Sequence, residues 1–460
     1  KSFKLQPDQR FRDELFRADI NQVQSLLTDN GFPYATIQQR LQIDESNNTV
    51  VIDLEIQSGP QCRFGDITIQ GHLHTREAIL RKQLDFHQGE IFNKERLDES
   101  QQQLYGLNLF EYVTVKASAP PTPQVDIPVH VFVREADRFS TKLGIGYGNE
   151  DRFRSLVQFQ WLGFMRDAKR LNLDFKHSYL EPIRIDLQLT QPAVLGLKTT
   201  LSLNPFFRRQ LEPGYHLNRL GAHVSLQRPI SDPTKAGLTY TFENVLLDTA
   251  SVGKLAGIDS LDNLYNKSSL FFGLSFDTTD DLFAPHEGMN ASFNIKYNGL
   301  LTKQYPYLKW IVDLRRFHSL MGTVAAMRLS FGNINSFDPS GFIPVEDLFF
   351  AGGANSVRGW NRHELGPQDS EGKPLGGSSY LEGSLENRFP LWRIVQGAVF
   401  VDAGNVWINK GAMDIDELRY AIGIGLRIKT PIGPIRFDIA KPIRDKQNDY
   451  RWHLSIGEAF

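Results

Sequence analysis

Apolar side chains recur at two spacings along this chain, and the change of spacing divides it. In Asp19 to Asp29 (DINQVQSLLTD), Ile20, Val23, Leu26 and Leu27 repeat at helical spacing, and Asn30-Gly31 supplies the stop. Two short strands are predicted next, Ala35 to Ile43 and Thr49 to Ile56, joined by the turn-rich Asp44-Glu45-Ser46-Asn47-Asn48. The order then recurs. Arg63 to Ile69 alternates as a strand, Thr75 to Leu84 and Lys94 to Leu107 read as helices, and Phe110 to Ala117 and Val125 to Glu135 as strands. Leu84 to Leu97 (LDFHQGEIFNKERL) also echoes Phe3 to Phe16 (FKLQPDQRFRDELF), with Phe92 falling on Phe11. A β-α-α-β-β module is therefore expected whole over 61–136, and over 1–60 without its first strand and helix, so that the chain begins inside a module.

From Phe139 onward helical periodicity almost vanishes and strict alternation takes over. Leu270, Phe272, Leu274 and Phe276 form one apolar stripe, and Ala291, Phe293, Ile295 and Tyr297 the next. Leu308, Trp310, Val312 and Leu314 follow, and Ile422, Ile424, Leu426 and Ile428 share a later face. About sixteen such segments fill about 320 residues, near 20 per strand plus connection, the economy of a transmembrane barrel of even strand number. A soluble sandwich also alternates, but its strands run to about 5–6 residues and a chain of this length would split into domains. Closure satisfies every backbone group without an edge, so 137–460 is expected to be an all-β membrane barrel of about sixteen antiparallel strands.

Composition narrows the function. The 460 residues carry 53 acidic and 51 basic side chains, a formal net charge of −2, which argues against nucleic acid as a partner. No run of about 18 apolar residues exists for a spanning helix, a test that barrels escape. The single cysteine, Cys62, excludes an internal disulfide and a cysteine-rich zinc site, and is read as a buried small side chain. Lys1 opens directly into polar, mixed sequence, so either a cytoplasmic protein or a processed or trimmed form is expected. Gly376-Gly377-Ser378-Ser379-Tyr380 fails as a nucleophile elbow, and no phosphate loop occurs. His286-Glu287 and His363-Glu364 lack the second histidine of a zinc-protease helix. No catalytic residues, metal or cofactor are expected, and the protein is not read as an enzyme.

One constellation stands out. A long connection, about Asn335 to Gly377, contains FFAGGANSVRGW (Phe349 to Trp360), and two acids on the strands that follow, Glu386 in GSLENRFP and Asp402 in VFVDAGNVW, are placed to meet its arginine. Gly352, Gly353 and Gly359 let the loop fold tightly, and a barrel of this size has a polar interior wide enough to receive it. Arg358 inside that lumen needs carboxylate partners. A solvent-exposed arginine with unrelated acids nearby is the alternative.

These segments resemble the bacterial outer-membrane assembly and translocation superfamily, built from periplasmic POTRA modules and a sixteen-stranded barrel. SVRGW is similar to its V-R-G-F/Y loop signature, with Trp360 in place of the commoner Phe or Tyr, and Phe400-Val401-Asp402-Ala403-Gly404 to its F-x-D-x-G strand motif. FFAGGANSVRGW, GSLENRFP, AVFVDAGNVW and TPIGPIRFDIAKPI resemble the TamA family of autotransporter assembly factors more than the BamA family. The resemblance implies an outer-membrane insertase with unfolded outer-membrane clients, a TamB-like partner at the POTRA modules, and contact with membrane lipid and lipopolysaccharide. It implies a loop-lumen anchor of Val357, Arg358, Gly359, Trp360, Glu386 and Asp402. A BamA-type general factor and a two-partner secretion transporter remain alternatives, as do a passive porin and a soluble β-rich binding protein.

A sheet edge offered to an entering strand lowers the cost of its unpaired backbone groups, and the available edge is the closure seam between Phe139–Asn149 and Tyr450–Phe460. Gly144, Gly146 and Gly148 leave one face of the first strand almost bare, and Gly457, with Phe460 at the end of the chain, lets the last strand bend inward. These residues are the expected lateral gate. Relief of crowding inside the barrel is the other reading of the glycines.

Overall fold

The computed structural model describes residues 3–459 except 7–8, 119, 254–262, 409–412, 431–432, 444, 446–448 and 457–458. The chain divides into two compact units, Lys1–Arg138 with Trp161–Lys169, and Phe139–Gln160 with Arg170–Phe460.

In the first unit α1 (Asp13–Asp29) leads into an antiparallel pair, β1 (Thr36–Asp44) and β2 (Thr49–Gln57). The helix starts before the expected Asp19 because Phe16, four residues ahead of Ile20, extends its apolar stripe and is buried. The second module follows as β3 (Arg63–Gln70), α2 (Glu77–Arg81), α3 (Lys94–Gly106), β4 (Phe110–Ala117) and β5 (Asp126–Glu135). Central β5 runs parallel to β3 and antiparallel to β4. Its alternate residues Ile127, Val129, Val131 and Val133 pack with Leu97 and Leu104 of α3 and with Phe64, Phe86 and Phe92. Each such burial contributes about 1.5–3 kcal/mol, enough to hold a module of this size together. Cys62 lies in the same core. α2 is shorter than the expected Thr75 to Leu84. Leu84 and Phe86 both turn into the core, and the Asp85 amide donates to Ser100 Oγ at 2.8 Å, an arrangement an unbroken helix does not allow.

The second unit is built on one sixteen-stranded sheet in which neighbours in sequence are neighbours in space. Its strands are β6 (Phe139–Gly148), β7 (Arg152–Phe164), β8 (Lys169–His177), β9 (Ile183–Gln191), β10 (Thr200–Glu212), β11 (Tyr215–Pro229), β12 (Thr234–Asp248) and β13 (Leu264–Asp277). The remainder are β14 (Gly288–Asn298), β15 (Tyr307–Leu320), β16 (Thr323–Ser336), β17 (Ser379–Trp392), β18 (Val395–Trp407), β19 (Arg419–Ile428), β20 (Ile435–Ile443) and β21 (Arg451–Ile456). On β19, Ile422, Ile424 and Leu426 are 53%, 63% and 47% exposed, whereas Ala421 and Arg427 on the other face are fully buried. Apolar outside and charged inside inverts a soluble sheet and is the signature of a lipid-facing wall. The turns set the register. Met321 and Gly322, at φ 50° and 81°, close β15 onto β16 with the two left-handed residues that match strand twist. The long connection 337–378 joins the eleventh and twelfth barrel strands and folds back into the lumen.

Candidate functional site

The connection behaves as a packed element. Phe349 bridges to Gly377 and Ala351 to Leu365, so the segment forms an irregular hairpin, tightened where Gly352 and Gly353 adopt φ of 95° and 111°. Phe349, Ala351, Val357, Trp360 and Leu365 bury against Tyr307, Tyr380, Val406 and Ala421 of the inner wall.

Arg358 lies at its tip, 1% exposed. Its Nε and Nη2 donate to the two oxygens of Asp402 at 2.7 and 2.8 Å, and its backbone N–H donates to Asp402 Oδ2 at 3.1 Å. Nη1 donates to Glu386 at 2.6 Å. The bidentate geometry is what the planar guanidinium does and an ammonium does not. The alternate residues of β18 each serve the loop. Phe400 lies beneath the guanidinium, 3.2 Å from its carbon to the ring centroid, and Asp402 binds it. Gly404 leaves space for Val357, whose Cγ2 stands 2.8 Å from where a Cβ would be. Gly359 presses its backbone on β19 and β20, since a Cβ there would meet Ala421 at 2.6 Å. Trp360 is buried, with no hydrogen-bond partner for its indole Nε1 among the described residues.

Sequence reasoning missed much of this cluster. Asp438 of β20 accepts from Arg427 at 2.5 Å and lies 3.4 Å from both Arg358 and Arg436. Glu386 also accepts from Arg388 at 2.8 Å and Arg427 at 3.2 Å. His453 Nε2 stands 2.9 Å from the Arg358 carbonyl. The available signal was alternation itself: Arg388, Arg427, Arg436, Asp438 and His453 all occupy the faces opposite the apolar stripes.

The loop has two further attachments. Glu346 and Asp347 face three lysines on consecutive strands. Lys267 pairs with Asp347 and, at 2.8 Å, with Glu346; Lys296 binds Asp347 at 2.7 Å; Lys309 donates to the Asp347 carbonyl at 2.6 Å. Arg362 forks onto Glu212 at 2.7 and 2.9 Å. Beside it His363 donates from Nδ1 to the Pro213 carbonyl at 2.9 Å, and burial, then the Arg362 charge, keep its pKa below the usual 6.5.

At the seam the sheet order ends at β6 on one side and β21 on the other, with no ladder between them among the described residues. Among the described residues the backbone of β21 is met across the gap by Asn149, while His453 Nδ1 of β21 lies 3.4 Å from Glu150 Oε1 just past β6. The Asn149 N–H donates to Leu454 O at 3.3 Å, its Nδ2 to Trp452 O at 2.9 Å, and its Oδ1 accepts from Leu454 N at 3.1 Å. A side-chain amide here stands in for a missing strand residue. Gly144, Gly146 and Gly148 face inward on β6. A Cβ on Gly146 would lie 3.4 Å from Arg154 Nε, and one on Gly148 2.5 Å from Asp151, so these two glycines leave room for neighbouring side chains. Gly457 and Phe460 lie outside the described residues. The loop touches both sides of the opening, through His453 and through Ala354, whose amide donates to Glu150 at 2.6 Å just past β6.

Residues 166–460 match the Omp85 superfamily domain, and residues 1–59 and 62–136 each match the surface antigen variable number repeat, the POTRA module. The outer membrane protein assembly factor BamA of Nitratidesulfovibrio vulgaris is 21% identical over 98% of this chain and 58% of its own length. That of Neisseria meningitidis is 21% identical over 100% and 64%. The chain thus spans under two thirds of these relatives. Among solved structures, BamA from Haemophilus ducreyi lacking POTRA domains 1–3 is similar with a TM-score of 0.77 at 19% identity, covering 99% of this chain and 95% of that one. CdiB from Acinetobacter baumannii is similar at 0.56 and 17% identity, covering 96% and 81%. The two curated relatives carry the BamA name, and the motif-based leaning toward TamA is not confirmed by them.

Proposed function

Because the chain belongs to the Omp85 superfamily, we propose that it is a BamA-type insertase of outer-membrane proteins, acting through a gate between β6 and β21. It is an integral outer-membrane barrel whose POTRA modules face the periplasm. In this reading residues 137–460 insert clients, and the modules over 1–60 and 61–136 collect them by offering strand edges.

The observation that carries the proposal is that no β6–β21 ladder forms among the described residues. A client strand entering hydrocarbon leaves each unpaired backbone group at a cost of several kcal/mol. An edge held, among the described residues, by Asn149 and the His453–Glu150 pair in place of a ladder is cheap to open, and once open it satisfies those groups with the β6 backbone. The Arg358 anchor keeps the loop tip fixed against β17, β18 and β20, so that motion concentrates at the seam. General assembly is favoured over the narrower autotransporter role with a TamB-like partner because the relatives are assembly factors by name.

The test is reconstitution. Liposomes carrying this chain should convert an urea-unfolded client barrel to its heat-modifiable, protease-protected form at least about tenfold faster than empty liposomes. Equal rates would reject the insertase. A census of outer-membrane proteins after depletion separates the two roles: broad loss marks general assembly, loss confined to autotransporters marks the narrower factor.

A further inference from the structure

The outer wall near the seam is not smooth. Across β16 to β20 it is hollowed by a cavity of about 740 Å³, lined by Met327, Leu385, Val399, Ile422 and Ile424, with Lys441 and Tyr450 among its boundary residues. That volume falls within the roughly 300–1,000 Å³ of small-molecule pockets. A small outward residue helps make the hollow: Ala325 of β16 lines it on the same face as Met327, where a larger side chain would fill it. Its lining is mostly apolar; Lys441 is the cation in it, and Asn387 of β17 adds a neutral amide.

Lys441 projects from the lipid-facing side of β20, between Ile439 and Ile443 and opposite Ile422. The Tyr450 ring lies 5.2 Å from its amine. An ammonium on such a wall is tolerated where it reaches the headgroups and meets an anion there. Strand direction places it. β6 enters from the periplasmic side, so β20 runs outward, and Lys441 stands two residues before its outer end at Ile443. Tyr420, paired with Ile443, supplies the interfacial ring at that level.

We propose that this hollow is a lipid seat, taking acyl chains of the phosphorylated glycolipid of the outer leaflet (the lipid A part of lipopolysaccharide) with a phosphate on Lys441. Lys441 stands near the outer end of β20, the end nearer the leaflet that carries such phosphates, and the apolar lining beside it suits acyl chains. The seat is independent of whether clients are inserted, and Tyr450 places it beside the strand that forms one lip of the seam.

The protein in phosphatidylcholine nanodiscs is supplemented with lipid A in one arm and phosphatidylglycerol in another, and the lipid kept after transfer to detergent is counted by native mass spectrometry. The wild type keeps lipid A in preference to phosphatidylglycerol. Lys441→Gln, which removes the charge, and Ile424→Trp, which fills the hollow, each lower lipid A retention about tenfold, as expected for a lost charged hydrogen bond or a blocked site. Heat-modifiable migration confirms that each variant is a folded barrel, and either folded variant alone decides the result. Wild-type retention of lipid A by a folded variant overturns the proposal. So does equal retention of phosphatidylglycerol, which would make the seat one for any anionic lipid.

Discussion

Arg358→Ala is expected to leave a folded barrel that inserts clients at least about tenfold more slowly than the wild type. The fork onto Asp402, the bond to Glu386 and the stack on Phe400 all end at this one guanidinium. Removing it strips the buried Asp402 of that fork while Glu386 keeps Arg388 and Arg427, and breaking a buried pair typically costs about 3–5 kcal/mol, reduced where lumenal water reaches the charges. The sheet itself loses no ladder, so heat-modifiable migration persists. The loop loses its tip anchor, and proteases should cut within 337–378. Arg358→Lys keeps the charge without the fork and should recover only part of the rate. Wild-type insertion by Arg358→Ala would remove the anchor from the mechanism.

A covalent seam should stop insertion altogether. Asn149 faces Leu454, so Gly148 and Ser455 lie one step along on the lumenal side of the same edge. Gly148→Cys with Ser455→Cys, in a Cys62→Ala background, places a disulfide where the described residues form no ladder. Oxidised, the protein should insert clients at the rate of empty liposomes; reduced, it should recover. Recovery distinguishes a locked gate from damage by the substitutions, including the crowding that Gly148→Cys brings against Asp151. Full activity of the verified crosslinked form would dismiss gating.

Much of this architecture is legible before any coordinates, because two-residue alternation has few physical solutions over so long a stretch. The stripe Ile422, Ile424, Leu426 is outward in fact. The long connection falls between the eleventh and twelfth strands, where the count placed it. Arg358 stood out because a lone arginine among glycines needs partners, and Glu386 and Asp402 were acids on the two strands that follow the loop. Asp438 was not found, being 80 residues from Arg358 and brought to it only by barrel curvature. The three lysines around Asp347 escaped for the same reason: each alternates on its own strand as any lumenal residue does, and only register across β13, β14 and β15 gathers them. α2 came out shorter than its pattern because the tertiary demand to bury Leu84 and Phe86 overrode local propensity. The Asn149 bridge has no sequence signature, since an asparagine after a strand reads as a turn residue.

The most direct measurement asks where a client strand goes. Single cysteines on β6 (Leu143, Ile145 and Tyr147) and, as a control, on the far wall at Phe272 of β13 are paired with a cysteine scan of a client's terminal strand, arrested during insertion. If the seam is the gate, each β6 cysteine crosslinks with client positions at a two-residue period and one register, and position 272 does not. Crosslinks of equal yield at both walls, or at β6 with no periodicity, would contradict insertion by strand addition at the seam.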